Sequence, residues 1–237
     1  NDNWGVMLIE QFLLLAIAII ANLFSALAGG GAGLLQFPLL LFLGLPFAVA
    51  LATHKIASVA LGLGATLRHL RSSQYERWFF LFVVVTGVPG VLLGAWVILD
   101  VPEEMARIAL GLLTLGLGLY SLFKKELGHS YTPQRMQGWG LAVGGVVLFV
   151  IGVLNGSLAS GTGLFVTMWL VRWFGLDYQR AVAYTLVTVG LLWNGSGAVA
   201  LGVLGDVQWS WLPALLLGSL LGVYWGASLA IAKGNRL

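Results

Sequence analysis

Residues 29–55 read GGGAGLLQFPLLLFLGLPFAVALATHK, and residues 159–186 read ASGTGLFVTMWLVRWFGLDYQRAVAYTL. They are one pattern written twice. Gly29-Gly-Gly-Ala-Gly33-Leu-Leu returns 130 positions later as Ala159-Ser-Gly-Thr-Gly163-Leu-Phe. After one inserted residue, Gly44-Leu and Ala50-Leu-Ala-Thr53 return 131 positions later as Gly175-Leu and Ala181-Val-Ala-Tyr184. In both copies a turn of small residues opens a short apolar run, 33–44 and 163–174. Twelve helical residues rise about 18 Å, whereas a bilayer core of ~30 Å needs about 20 residues. Both runs are therefore expected to be short, re-entrant or broken helices.

Seven further apolar runs, at 8–28, 46–68, 78–98, 104–123, 138–158, 178–203 and 210–232, have the length to cross a bilayer. With 59% hydrophobic and 9% charged residues and a mean hydropathy of +0.94, the chain lies far outside soluble composition. The expectation is an all-α polytopic membrane protein with about seven full-length and two short helices. All nine acids, Asp2, Glu10, Glu76, Asp100, Glu103, Glu104, Glu126, Asp177 and Asp206, fall in or near connections or helix ends. The net charge of +3 then reads as a topology signal rather than a nucleic-acid footprint. Without cysteine there is no thiol chemistry and no soft-metal site, and nothing calls for a cofactor. Residues 1–7 carry no basic segment of the kind that opens a signal peptide.

Positive charge orients the bundle. Arg68, Arg71 and Arg77, then Lys124, Lys125 and Arg135, and finally Lys233 and Arg236 mark cytoplasmic ends. The N-terminus, the turn from Asp100 to Glu104 and the turn from Gly202 to Gln208 carry almost no Lys or Arg and read as outside. The first copy enters from outside and the second from the cytoplasm. The expected organisation is a first membrane repeat (1–103), a linking helix with a cytoplasmic loop (104–137) and a second, inverted repeat (138–237). Secondary transporters built on this plan bind their substrate near the midplane, where broken helices meet.

Lys55 follows His54 in the middle of an apolar segment, where lysine costs roughly 2.5–3.5 kcal/mol on insertion scales. Such a residue persists where it pairs, lines a wet cavity or meets an anion. The corresponding pair in the second copy is Thr185 and Leu186, so the cationic site is asymmetric. Gly29, Gly30, Gly31 and Gly33 allow close backbone approach, and Ser157, Ser160 and Thr162, with Gly161 and Gly163, add hydroxyl donors to the second turn. A helix N-terminus after such a turn is an anion site; small-residue helix packing is the competing explanation. Thr53, Gln36, Asn155 and Asn194 complete the candidate substrate-binding set; polar residues of this kind also serve as contacts between helices.

These motifs, together with Gly-Leu-Pro at 44–46, Ala-Leu-Ala-Thr-His-Lys at 50–55 and Gly-Ala-Thr-Leu-Arg-His-Leu at 64–70, resemble the TauE/SafE (TSUP) family of sulfite exporters. The resemblance covers most of the chain, with the second copy returning more weakly over 155–197. It implies a permease of the bacterial cytoplasmic membrane for sulfite, organosulfonates and related sulfur-containing or carboxylate anions. Family members commonly have Asn or Ser at the position of His54, a departure that bears on substrate and on any proton coupling.

The expected function is therefore alternating-access transport of a small anion, with the lipid bilayer as the surrounding partner and Lys55 as countercharge. With no carboxylate in the membrane interior, coupling falls to protons through His54, to the anion's own proton, or to neither. A competing reading is an intramembrane serine hydrolase using Ser160 as nucleophile and His54 as base, although the sequence offers no acid to orient the base. A purely structural membrane subunit would need neither broken helices nor a buried cation.

Overall fold

The computed structural model describes residues 2–28, 31–69, 76–123 and 130–233. Among these the chain is helical throughout: α1 (Asp2–Ala28), α2 (Gln36–Phe42), α3 (Phe47–His69), α4 (Arg77–Val97), α5 (Glu103–Phe123), α6 (Gly138–Leu158), α7 (Thr162–Arg172), α8 (Tyr178–Val187), α9 (Asn194–Leu204) and α10 (Leu212–Lys233). A 3-10 turn, Ala32–Leu34, leads into α2, and a π-helical turn, Thr188–Trp193, joins α8 to α9 without a break. Six of the described helical stretches, counting Tyr178–Leu204 as one, are long and apolar enough to cross a membrane. Helix α5 has a span's length, but Glu103, Glu104 and Arg107 occupy its start. Its outer face, with Met105, Ile108, Leu112, Leu115 and Leu119, is exposed and apolar, as are Leu8, Ile9, Phe12 and Phe24 of α1. Apolar area on this scale faces lipid. The chain is an all-α polytopic membrane protein.

Local chemistry sets the helix ends. Pro46 and Pro102 stand just ahead of α3 and α5, where a missing N–H costs nothing. Asp177 caps α8 by accepting from Arg180 N at 3.0 Å. Gly44 and Gly175 close the two short helices with φ of +95° and +73°. The corresponding N-terminal turns carry Gly31 at φ +109° and Gly161 at +66°, a backbone that favours glycine.

The halves contact one another reciprocally. A Cβ on Gly31 would lie 3.2 Å from Leu164, and one on Gly161 3.1 Å from Leu34, which are corresponding positions of the two copies. On the same plan α1 packs along α10 and α6 along α4. Gly218, Gly222 and Gly226 of α10 meet the carbonyls of Leu15, Ile19 and Leu23, while Gly90 and Gly94 of α4 meet those of Phe149 and Val153. These are the small-residue contacts by which membrane helices approach closely. Helix α3 is the most buried of the candidate spans, 72% inside the structure. It touches α2, α5, α8, the π turn, α9 and α10, so its side chains occupy the centre of the bundle.

At one end of the bundle the segment after Ser130 is tied down. Thr132 N and Gln134 N donate to the carbonyls of Gly175 and Phe174, and the Arg180 guanidinium lies 4.0 Å over the Tyr131 ring. Burial pushes the Tyr131 phenol above its ordinary range, and the neighbouring Glu76 carboxylate adds to the rise. Of the tryptophans near helix ends, Trp78, Trp96, Trp139 and Trp209 are exposed, as interfacial anchors are. Trp211 differs: it is buried in the core with Leu14 and Leu215.

Candidate functional site

Lys55 is fully buried. Its Nζ donates to Asn155 Oδ1 on α6 and, at 2.9 Å, to Asn194 Oδ1 at the first residue of α9. Two of the ammonium's three donors are thereby used, and both acceptors are neutral. Asn155 Nδ2 in turn donates to Thr162 Oγ1 at 2.8 Å, at the first residue of α7. The cluster is thus gathered from α3, α6, α7 and α9, and its only formal charge is the lysine. Gly197 leaves room for the lysine's stem: a Cβ there would come within 3.3 Å of Lys55 Cδ.

A cavity of about 30 Å³ adjoins this cluster, room for one or two water molecules. Gly31, Gly33, His54, Asn155, Thr162, Gly163, Thr185 and Asn194 of the expected set line it. His54 faces Ser58 across a 3.2 Å Nε2···Oγ contact and stacks on Phe37 at 5.8 Å. At the other wall Thr185 accepts from Thr167 at 2.8 Å. Helix α7 starts at the cavity, so its first N–H groups and the positive end of its dipole face the same space as the lysine cluster. Carboxamide, hydroxyl and helix N-terminus line the cavity, with the Lys55 ammonium one hydrogen bond behind Asn155 and Asn194, a combination whose chemistry suits an anion.

The other expected residues lie elsewhere. Thr53 is buried and accepts from Gln208 N at 3.0 Å, tying α3 to the turn before α10. Gln36 Oε1 lies 3.1 Å from Asn22 Nδ2, which also reaches Ser219 Oγ at 3.0 Å. Ser157 bonds to Val153 O of its own helix. Ser160 Oγ pairs with Thr114 Oγ1 at 3.1 Å, and Gly161 faces Leu117 and Leu34. Gly29 and Gly30 lie outside the described residues. Because Ser160 turns to Thr114 and His54 to Ser58, the serine–histidine pair of the hydrolase reading is not formed.

Ser25, Ser58, Val189 and Gly190 also line the cavity without being in the expected set. A signal for two of them was present: Ser58 stands four residues after His54 on one helix face, and Ser25 occupies the position in the first copy that Asn155 occupies in the second. Val189 and Gly190 belong to the π turn, which carries no sequence signal of comparable strength. Four buried side-chain atoms among the described residues have no protein partner: Asn22 Oδ1, Ser25 Oγ, Gln36 Nε2 and His54 Nδ1. All four belong to the first half, whereas the second half supplies the partners of Lys55.

A sequence model of the sulfite exporter TauE/SafE family matches residues 14–237. The chain belongs to the TauE/SafE family. Its similarity extends to a probable membrane transporter protein of Haemophilus influenzae, 30% identical over 226 residues that cover 95% of this chain and 87% of that protein. The probable membrane transporter protein YfcA of Escherichia coli is 28% identical over 228 residues, covering 95% and 82%. A further probable membrane transporter protein, ORF9 of a Sinorhizobium species, is 30% identical over 229 residues, covering 95% and 85%. No solved structure matches the chain. The TauE/SafE match spans both copies of the glycine motif and every residue around the cavity.

Proposed function

We propose that this membrane protein is a transporter of small anions, sulfite, organosulfonates or related sulfur-containing anions, which it binds in the cavity beside Lys55. The carrying observation is a fully buried lysine whose two acceptors are carboxamides, next to a helix N-terminus and a polar cavity. A buried cation without a carboxylate partner calls for an anion. "Anion" follows from the site's chemistry; "sulfur" follows from the family, whose description is sulfite exporter. The protein works as a permease and not as an enzyme.

Residues 1–103 and 138–237 act as two repeats of opposite orientation, joined by 104–137, that rock against each other to expose the site alternately. The reciprocal contacts of Gly31 with Leu164 and Gly161 with Leu34 support this reading. The protein resides in the bacterial cytoplasmic membrane, N-terminus outside and C-terminus inside. Export of an anion needs no coupling ion there, because the inside-negative potential contributes ~2.3 kcal/mol per charge per 100 mV. Protons carried through His54 would add to that drive.

The test is flux in proteoliposomes against a panel of sulfite, thiosulfate, sulfate, small sulfonates and carboxylates, for the natural chain and Lys55→Ala. Saturable flux of a sulfur-containing anion, lost in the variant while the protein remains folded, is the expected result. Equal flux in the two proteins would remove Lys55 from the mechanism.

A further inference from the structure

Among the described residues, the buried polar side chains around the cavity include one Lys, Arg, Asp or Glu, which is Lys55. Helix α3 brings Lys55 and the imidazole of His54; α1 brings Asn22 and Ser25, α5 Thr114, α6 Asn155, α7 Thr162 and Thr167, α8 Thr185, α9 Asn194 and α10 Ser219. None of these side chains is a carboxylate or a second lysine or arginine. Arg172 stands at the far end of α7 from Thr162, about 15 Å away by helix rise.

Both carboxamides point their oxygens at Lys55. The Nδ2 of Asn194 is accordingly turned away from the ammonium, and among the described residues it donates to no protein acceptor. Asn194 is itself half-buried and lines the cavity. The lysine thus holds the amide by its acceptor and leaves the amide donor for the ligand. One positive charge balances one negative charge; a dianion would carry its second charge uncompensated into the membrane interior, which is strongly disfavoured.

Resting on the transport reading above, we infer that the species carried is the singly charged anion, bound directly by the Asn194 amide with Lys55 as its sole countercharge. For an acid with two ionisations within reach of neutral pH, the substrate is the hydrogen-bearing monoanion. A fully ionised dianion is excluded by charge, even when its size is right.

The test measures proteoliposome flux of sulfite, methanesulfonate and sulfate across a pH series spanning sulfite's second ionisation. Methanesulfonate stays singly charged throughout, so its flux reports any titration of His54 or Lys55, and the ratio of sulfite to methanesulfonate flux isolates the substrate's charge. The ratio should fall by about tenfold per pH unit above that ionisation, with sulfate flux at the level of empty liposomes. A ratio that stays flat or rises with pH, or sulfate flux equal to that of methanesulfonate, overturns the inference. Absence of flux for all three anions at every pH would instead overturn the transport reading on which it rests.

Discussion

Gly62 of α3 lies directly against the peptide joining Gly190 to Leu191, so that a Cβ at this position would overlap the backbone of the π turn. The contact lets the central helix of the first half seat the turn that ends at Asn194. Backbone atoms cannot move aside as a flexible side chain would, and overpacking of this kind costs typically ~1–3 kcal/mol. Gly62→Ala should lower the melting temperature in detergent and, by displacing Asn194, reduce anion flux. Gly111→Ala and Gly202→Ala, which meet nothing within 4 Å, serve as controls that keep both. A Gly62→Ala protein with unchanged stability would show that the turn is not held there.

Asn194→Asp changes almost no volume but places a carboxylate where Lys55 now donates to a carboxamide. Such a pair is charge-balanced before any ligand arrives. The variant should fold and melt at or above the temperature of the natural protein, because the carboxylate supplies an opposite charge to a buried ammonium whose acceptors are otherwise neutral. Its anion flux should fall to the level of empty liposomes. Flux retained at the natural rate would place the anion away from this residue.

Gly33 faces both halves of the site: a Cβ there would lie 2.7 Å from Ala159 O and 3.2 Å from His54 Nε2. Gly33→Ala therefore fills part of a cavity of about 30 Å³. Flux should drop by at least about tenfold, with a stability loss of about 1–3 kcal/mol from crowding. The readout is initial flux rate beside thermal denaturation of the same preparation, and an unaltered rate would mean that the anion does not pass the Gly31–Gly33 turn.

Ser160→Ala removes a hydroxyl that pairs with Thr114, leaving one hydroxyl without its partner. A modest destabilisation of about 0.5–1.5 kcal/mol is expected. Transport should persist, and a fluorophosphonate probe should not label the natural protein. Labelling that disappears in Ser160→Ala would restore the hydrolase reading.

The sequence by itself determined the membrane class, the helix spans to within a few residues, the two broken short helices and the isolated charge at Lys55. Run length, glycine placement and the burial cost of charge are local properties, readable without knowing what lies alongside. It also placed Asn155 and Asn194 in the candidate set, as polar residues within or bordering apolar runs. Only the tertiary structure decided which way each polar residue turns. Thr53, His54 and Lys55 are consecutive on one helix, about 100° apart, and they face Gln208, Ser58 and the asparagine pair respectively. Ser160 and Thr162 share one turn, yet one meets Thr114 and the other Asn155. The partners of Thr53, Lys55 and Ser160 depend on how distant segments pack around α3 and α7, over separations of dozens of residues. The π turn adds a second reason. It shifts the register between α8 and α9, so a 3.6-residue period drawn through 178–204 places Asn194 on the wrong face.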